Sequence, residues 1–307
     1  FFFHAQHGIR DSVASRGLGD VYKRQALNMG GWHDIFLKGT CRNFTGMTKH
    51  GATPQSRSGQ RLLLGPWHHG AFAEESGEFY FGLAASGGAV DTDGVHLRWF
   101  DHWLKGEDNG ADGDSPVRIF VMGTNKWRSE YEWPLARTQY QDYFLHSQGK
   151  ANTLNGDGNL TLQKPADESP DVYLYDPRDP VPTNGGGLCC NQSFVPGGAF
   201  DQREVEARPD VLVYSTDPLE VDLEVTGPVS MTLYAATTGR DTDFTAKLVD
   251  VGPCGCARNL TDSIVRARYR KSTENADPIQ PGQIYEYTID LVATSNVFLQ
   301  GHRVRLE

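Results

Sequence analysis

The stretch LLLGPWHHGAF (residues 62–72) runs from an apolar segment through a Gly-Pro-Trp corner into two adjacent histidines. A short, continuous apolar run that stops at Gly-Pro is typical of a strand buried in a parallel sheet. Such a strand would carry His68 and His69 into a loop at the edge of the sheet. Because histidine is the side chain that most readily exchanges a proton near neutral pH, the arrangement predicts a catalytic base.

Strand-like and helical patterns alternate around this stretch. ALNMGGW (26–32) resembles a strand end, and apolar residues recur after it at helical spacing, namely Phe36, Leu37, Cys41, Phe44 and Met47. A second helix is predicted over 91–106, with capping Asp91 and Thr92, a Lys105-Gly106 end and an apolar face of Leu97, Phe100 and Leu104. Residues 26–110 are therefore predicted to be α/β.

The pattern changes after EDNGADGDSP (107–116), an acidic, Gly-rich linker. Runs of alternating apolar and polar residues follow, separated by turn-forming residues: VRIFVMG, DVYLYD, DVLVYS, LEVTGPVSMTLYAA, FTAKLVDV, IVRARYR and IYEYTIDL. Many short strands without intervening helices predict an antiparallel sandwich or jelly roll over residues 111–307.

Both ends of the chain are atypical of a native protein. Residues 1–25 have no helical or strand periodicity and no signal-peptide layout, and they resemble translated adapter sequence at the edge of a metagenomic fragment. The last residues, GHRVRLE (301–307), stop within an alternating strand pattern. We therefore expect residues 1–25 to be an artefact and the chain to be a gene fragment truncated at both ends.

Composition narrows the range of partners. The 307 residues carry a net charge of −10, which argues against nucleic acid and anionic membranes as partners. No apolar run approaches the roughly 20 residues that a membrane span needs. A small-molecule substrate is the expected partner, while the oligomeric state is left open. Localisation is also left open, with the cytoplasm favoured.

The cysteines indicate neither a disulfide framework nor a metal site. Their number is odd, and neither Cys189-Cys190 nor the Cys254-x-Cys256 pair has a histidine or a second pair at zinc spacing. All five cysteines, including Cys41, are therefore expected to be free thiols in a reducing compartment. No metal or other cofactor is expected.

A partner for the histidines is present upstream. In α/β-hydrolases the catalytic triad comes in the chain order Ser, Asp, His, with the acid and the base on loops after late strands. Asp34 follows the first strand, and one helix and one strand separate it from His68 and His69. The nucleophile motif G-x-S-x-G is absent, since Ser86 has glycine on one side only. The acid and the base are thus predicted here, and the serine is expected upstream of this chain.

Several of these segments resemble one family. GGWHDIFLKGT, LLLGPWHHG and LRWFDHWLKG are similar to the late hydrolase half of the CocE/NonD family, which holds cocaine-esterase-like and Xaa-Pro dipeptidyl-peptidase-like hydrolases. SPVRIFVMGTNKWR, DTDFTAKLVDV and GHRVRLE resemble the C-terminal jelly roll of that family, and the likeness is colinear over 26–307. The implied fold is an α/β-hydrolase fragment followed by an all-β jelly roll of the Xaa-Pro dipeptidyl-peptidase type.

The resemblance also implies roles for particular residues. Asp34 in the G-W-x-D motif is the triad acid, His69 in G-P-W-x-H is the base, and His68 falls on a variable position. The implied activity is that of a serine hydrolase acting on esters or amides without a cofactor. The nucleophile and the oxyanion hole lie upstream, so the fragment itself is predicted to be inactive.

The sequence departs from the family at two places. Ile35, Phe36 and Leu37 stand where a subfamily that hydrolyses α-amino-acid esters has acidic residues, which disfavours that subgroup. VGPCGCARNL (251–260) carries two cysteines in a jelly-roll turn where polar residues are more usual.

Alternatives remain open. A dipeptidyl-peptidase would need an upstream carboxylate to hold a free amino terminus. A non-catalytic sandwich that binds sugar would show exposed aromatics, whereas Tyr173, Tyr175, Tyr214 and Tyr234 are predicted to be buried. Asp34 could simply cap the following helix. Trp32 and Trp67 could line an acyl pocket or belong to the core.

Overall fold

The computed structural model describes residues 24–189, 191 and 193–307. The helices are α1 (Leu37–His50), α2 (Pro54–Ser58), α3 (Gly87–Val90), α4 (Thr92–Phe100) and α5 (Arg203–Glu206). The strands are β1 (Leu27–His33), β2 (Arg61–His68), β3 (Glu75–Ser76), β4 (Phe79–Tyr80), β5 (Val117–Val121), β6 (Lys126–Glu130), β7 (Phe144–His146), β8 (Asn159–Thr161), β9 (Tyr214–Ser215), β10 (Leu223–Ala235), β11 (Asp243–Val251), β12 (Ala257–Arg266), β13 (Tyr285–Phe298) and β14 (Arg303–Leu306). The predicted artefact at 1–25 lies outside the described residues except for Arg24 and Gln25.

The first sheet has the strand order β1-β2-β5-β6, in which β1, β2 and β5 run parallel and β6 is antiparallel to β5. Its strands bury apolar side chains against α1, so that one core contains Leu37, Cys41, Phe44, Leu62, Leu64, Ile119 and Phe120. The two predicted strands and the helix between them are therefore present. The sheet places the carboxyl ends of β1 and β2 at the same edge.

The strand β5 differs from the sequence prediction in its pairing partner. VRIFVMG is predicted to begin the jelly roll, but β5 pairs in parallel with β2. Val117 and the run Ile119–Val121 are all buried, so the strand is covered on both faces. The alternation expected of a half-exposed strand is absent, and β5 extends the first sheet. The domain boundary at residue 111 stays a prediction.

The short strands β3 and β4 pair with each other, and the strands from β7 onward form a β-sandwich. One sheet has the order β12-β11-β14-β9-β8-β7, and the long strands β10 and β13 pair antiparallel in another. Tyr287, Ile289 and Leu291 of β13 pack with Phe244 and Ala246 of β11 in a core between the sheets. The predicted all-β second part is thus observed.

The segment DVYLYD (171–176) is not a strand, which is a second correction. Asp171 instead accepts hydrogen bonds from Ser147 Oγ and Tyr214 OH, both at 2.6 Å. The segment is therefore held by a side chain rather than by a ladder of backbone bonds. Tyr173, Tyr175 and Tyr234 are 37%, 48% and 67% exposed, so their predicted burial is wrong, while Tyr214 is buried as predicted.

The predicted helix at 91–106 is present, but its apolar face is not covered by the described residues. Asp91 caps α4 by accepting from Gly94 N at 3.1 Å, and the helical path continues to Lys105, where Gly106 adopts φ +75°. Leu97, Phe100 and Leu104 are exposed, and the helix packs through Trp99, over which the Arg61 guanidinium lies at 5.9 Å.

Cys41, Cys254 and Cys256 are free thiols, whereas Cys189 is disulfide-bonded, which corrects the expectation that all the thiols are free.

No helix in the described part of the chain is long and apolar enough to cross a membrane. Within 24–189, 191 and 193–307, no three His, Cys, Asp or Glu side chains are grouped so as to hold a metal ion.

Candidate active site

The register of β1 and β2 brings the predicted acid and base together. The two strands are parallel, and His33 at the end of β1 is paired with His68 at the end of β2. Asp34 and His69 are the residues that follow each partner. Because parallel strands deliver their carboxyl ends to the same sheet edge, both side chains reach one place.

A bulge in β2 sets this register. Leu27 through Gly31 pair with Arg61 through Gly65, but His33 pairs with His68, so β2 contributes one extra residue near Trp67. The bulge brings the Trp67 carbonyl oxygen to 2.1 Å from the position that a Cβ on Gly31 would occupy. Only glycine fits at Gly31, which explains the Gly in the GGWHD motif.

Asp34 and His69 form a hydrogen bond. His69 Nδ1 lies 3.2 Å from Asp34 Oδ1, and both side chains are partly buried, at 27% and 15% exposure. The same carboxylate oxygen accepts from Phe36 N at 2.8 Å. The contact between Asp34 and His69 that the motifs predict is present. Asp34 also accepts a hydrogen bond from the backbone just before α1.

His68 points elsewhere. Its Nδ1 lies 3.4 Å from Oγ of Ser76 in β3. Partial burial lowers the pKa of His68, and the nearby Asp34 acts in the opposite direction. The two adjacent histidines therefore have different partners, with His69 bonded to Asp34 and His68 to Ser76.

His33 links the two parts of the chain beneath this site. It is buried, with Nδ1 at 3.3 Å from the Pro66 carbonyl and Nε2 at 3.3 Å from the Asn259 carbonyl of β12. Burial lowers the pKa of His33 to about 4, so the ring is neutral at pH 7. The sequence analysis assigned no role to His33, because its second partner is distant in the chain.

A segment of the β-sandwich crosses the ends of both strands. A Cβ on Gly187 would lie 3.5 Å from the Asp34 carbonyl oxygen, and one on Gly197 would lie 3.5 Å from His68 Cβ. Ala199 N donates to the carbonyl of Ser76 in β3, and its own carbonyl accepts from Glu78 N. Sequence reasoning missed these glycines, because nothing in their local pattern indicates the distant loops that they contact.

Trp32 and Trp67 are core residues, at 2% and 1% exposure. Trp32 Nε1 donates to the Phe120 carbonyl and Trp67 Nε1 to the Ala85 carbonyl, both at 2.7 Å. Their packing role is therefore observed. A share in an acyl pocket stays a prediction for the complete protein.

Known proteins resemble the chain over nearly all of its length. A family model described as the X-Pro dipeptidyl-peptidase C-terminal non-catalytic domain matches residues 109–307. Cocaine esterase of Rhodococcus sp. (strain MB1 Bresler) is 43% identical over 282 residues, which cover 92% of this chain and 48% of that protein.

Two solved structures share the fold. An aminopeptidase from the marine sediment archaeon Thaumarchaeota archaeon has a TM-score of 0.76 and 28% identity, over 91% of this chain and 46% of its own. An α-amino acid ester hydrolase has a TM-score of 0.74 and 25% identity, over 91% of this chain and 47% of its own. The chain thus spans about half the length of these relatives. With the match to the C-terminal domain model and to cocaine esterase, the chain belongs to the CocE/NonD family, which includes cocaine-esterase-like and X-Pro dipeptidyl-peptidase-like hydrolases.

Proposed function

We propose that this chain supplies the acid and the base of a serine hydrolase that acts on small esters. The observation that carries the proposal is the 3.2 Å hydrogen bond between His69 Nδ1 and Asp34 Oδ1 at the shared edge of two parallel strands. This geometry is that of the base and its orienting carboxylate in a catalytic triad. The similarity to cocaine esterase supports an ester as the substrate.

The proposed mechanism follows from the orientation of the ring. With Nδ1–H donating to Asp34, the basic lone pair of neutral His69 is on Nε2, which takes the proton of the attacking serine hydroxyl. The serine oxygen takes the acyl group of the substrate, while the imidazolium protonates the leaving group. A water molecule, deprotonated in the same way by His69, then hydrolyses the acyl-serine ester and releases the acid. Asp34 orients the ring and stabilises the charge that forms on it.

The nucleophile comes from outside this chain in our proposal. The chain spans 48% of cocaine esterase, and it contains no G-x-S-x-G motif. The α/β-hydrolase order Ser, Asp, His places the serine N-terminal to Asp34. We therefore expect the 307-residue chain on its own to be catalytically inert.

A dipeptidyl-peptidase is the second candidate, and the match to the X-Pro dipeptidyl-peptidase C-terminal domain favours it. That domain is described as non-catalytic, so the match does not bear on the substrate of the catalytic half. A sugar-binding sandwich without catalysis is disfavoured, because it would not require Asp34 and His69 to form their hydrogen bond.

The two adjacent histidines provide the experiment. In the full-length protein, His69→Ala and Asp34→Ala should each lower kcat for a short-chain activated ester by roughly 10³ to 10⁶. His68→Ala is the matched control and should change kcat by less than about tenfold, since His68 bonds Ser76 rather than Asp34. A large loss with His68→Ala and a small one with His69→Ala would refute the assignment of the base.

A further inference from the structure

The two cysteines of VGPCGCARNL lie at the tip of the hairpin that joins β11 to β12. Val251 and Ala257 close the strand pairing, and the loop is fixed by hydrogen bonds from Gly255 N to Gly252 O (2.9 Å) and from Gly252 N to Cys256 O (3.0 Å). The proposed hydrolase chemistry makes no use of this hairpin. Its cysteines therefore need an explanation of their own.

The turn holds the two residues close together. Cα atoms two residues apart are at most about 7 Å from each other even in an extended chain, and disulfides need about 4.4 to 6.8 Å. Gly255, between the two cysteines, adopts φ +80°, a left-handed conformation that turns the chain and shortens this separation. Cys256 N lies 3.4 Å from Cys254 Sγ, so the Cys254 sulfur lies against the backbone of Cys256.

The surroundings make the two thiols unequal. Hydrogen bonds from the Cys256 thiol and amide lower the pKa of Cys254, and the positive charge of Arg203 acts in the same direction. The pKa of Cys256 is raised, because its thiol donates to Cys254. Asp201 accepts hydrogen bonds from Ala257 N at 3.3 Å and from Arg203 Nε at 2.8 Å. This carboxylate therefore connects the base of the hairpin to the Arg203 guanidinium.

The other described cysteines lack these properties. Cys41 lies on the buried face of α1, and burial raises its pKa to about 12. Cys189 is already disulfide-bonded. Cys254 is exposed and Cys256 is half-buried, so a small oxidant in solution reaches the hairpin thiols first.

We propose that Cys254 and Cys256 form a reversible redox dithiol, which hydroperoxides oxidise to a disulfide within the hairpin. The Cys254 thiolate attacks one peroxide oxygen, so that an S–O bond forms, the O–O bond breaks and the leaving hydroxide takes up a proton. The Cys256 thiolate then attacks the Cys254 sulfur, so that the S–S bond forms, the S–O bond breaks and a second water leaves. Two thiols lose two electrons, and one hydrogen peroxide becomes two waters. Exposed disulfides of this kind are readily reduced, which makes the step reversible.

A single tryptic peptide tests the proposal. Cleavage after Lys247 and Arg258 yields residues 248–258, which contain both cysteines. After the reduced full-length protein is treated with stoichiometric hydrogen peroxide, this peptide should become lighter by two hydrogen atoms and should regain them with dithiothreitol. Limited alkylation of the untreated protein should label Cys254 before Cys256 and leave Cys41 unlabelled.

Variants separate the two roles. Cys256→Ser should form no disulfide and should accumulate a sulfenic acid on Cys254 that dimedone traps, while Cys254→Ser should leave Cys256 unmodified at the same dose. Arg203→Gln should slow alkylation of Cys254, whereas Arg266→Gln, at the far end of β12, should not. A peptide 248–258 that keeps its mass under peroxide, or equal trapping at Cys254 and Cys256 in the two serine variants, would overturn the proposal.

Discussion

His33 and His68 are register partners at the ends of two parallel strands. Their pairing depends on the one-residue bulge in β2, because continuation of the earlier register would pair His33 with Trp67. In that arrangement His68 rather than His69 would stand level with Asp34. The bulge therefore selects which of two adjacent imidazoles meets the carboxylate.

A substitution at Gly31 tests the role of the bulge. A Cβ there would lie 2.1 Å from the Trp67 carbonyl oxygen, and backbone cannot move aside as a flexible side chain can. We expect Gly31→Ala to lower the free energy of unfolding by roughly 1–3 kcal/mol and to lower kcat of the full-length protein. Urea unfolding and ester hydrolysis measure the two effects.

Gly46→Ala is the control for that experiment. Gly46 lies inside α1 with nothing within 4 Å of a Cβ, so alanine should raise the free energy of unfolding by about 0.5–1 kcal/mol. Equal stability and equal activity of Gly31→Ala and the wild type would show that the bulge does not constrain the site.

Sequence patterns predict β1, α1 and β2 well, because the apolar residues of each segment follow the pattern of the helix or buried strand that it forms. The register between β1 and β2 is a different matter. A shift of one residue exchanges His68 for His69, and nothing in the spacing of Asp34 and the histidines reveals a bulge. The assignment of the base to His69 rests on the resemblance to a family motif and stays a prediction, which the contact between His69 Nδ1 and Asp34 Oδ1 supports.

The mispredicted segments share a physical cause. Alternation indicates which residues could face a core, but it does not indicate what covers them. VRIFVMG joins the first sheet and is buried on both faces. DVYLYD has the alternation of a strand, yet Asp171 holds it through Ser147 and Tyr214, so its tyrosines stay exposed. Contacts with segments distant in the chain decided both outcomes, through backbone pairing in the first case and through the Asp171 side chain in the second.

His33 predicts a dependence of stability on pH. Its pKa is about 4 in the folded protein and near 6.5 when unfolded, so the folded state takes up the proton less readily. Above pH 6.5 His33 is neutral in both the folded and the unfolded state, and its contribution to stability is fully present. As the pH falls from 6.5 to 4 the unfolded state gains a proton that the folded state does not, which should cost roughly 3 kcal/mol of stability.

The measurement compares His33→Gln with the wild type by urea unfolding at pH 7 and at pH 4. Glutamine does not titrate in this range, so the variant should lose less stability on acidification than the wild type does. Parallel losses in the two proteins would mean that His33 is protonated inside the folded protein, paired with the Pro66 and Asn259 carbonyls.

Trp67 should behave as a core residue. Its indole donates to the Ala85 carbonyl at 2.7 Å, and the ring contacts Phe72 and Trp127. Trp67→Phe removes the donor and leaves a buried carbonyl unpaired, which should cost about 1–3 kcal/mol in urea unfolding. KM for esters should stay unchanged. A raised KM without loss of stability would instead support the acyl-pocket role.

The last prediction concerns the charge of the substrate. Ile35, which follows Asp34, is 47% exposed, and neither Phe36 nor Leu37 offers a carboxylate beside the site. A substrate ammonium that is desolvated without a counter-charge costs several kcal/mol. The full-length protein should therefore hydrolyse an N-acetylated amino-acid ester with a kcat/KM at least about tenfold above that of the free amino-acid ester, since each 1.4 kcal/mol is a factor of ten. Ile35→Glu should raise kcat/KM for the free amino-acid ester, and Ile35→Gln, which has the same shape without the charge, should not. A wild-type preference for the free amino-acid ester would contradict this prediction, because the ammonium would then need a carboxylate from outside this chain, as the dipeptidyl-peptidase alternative requires.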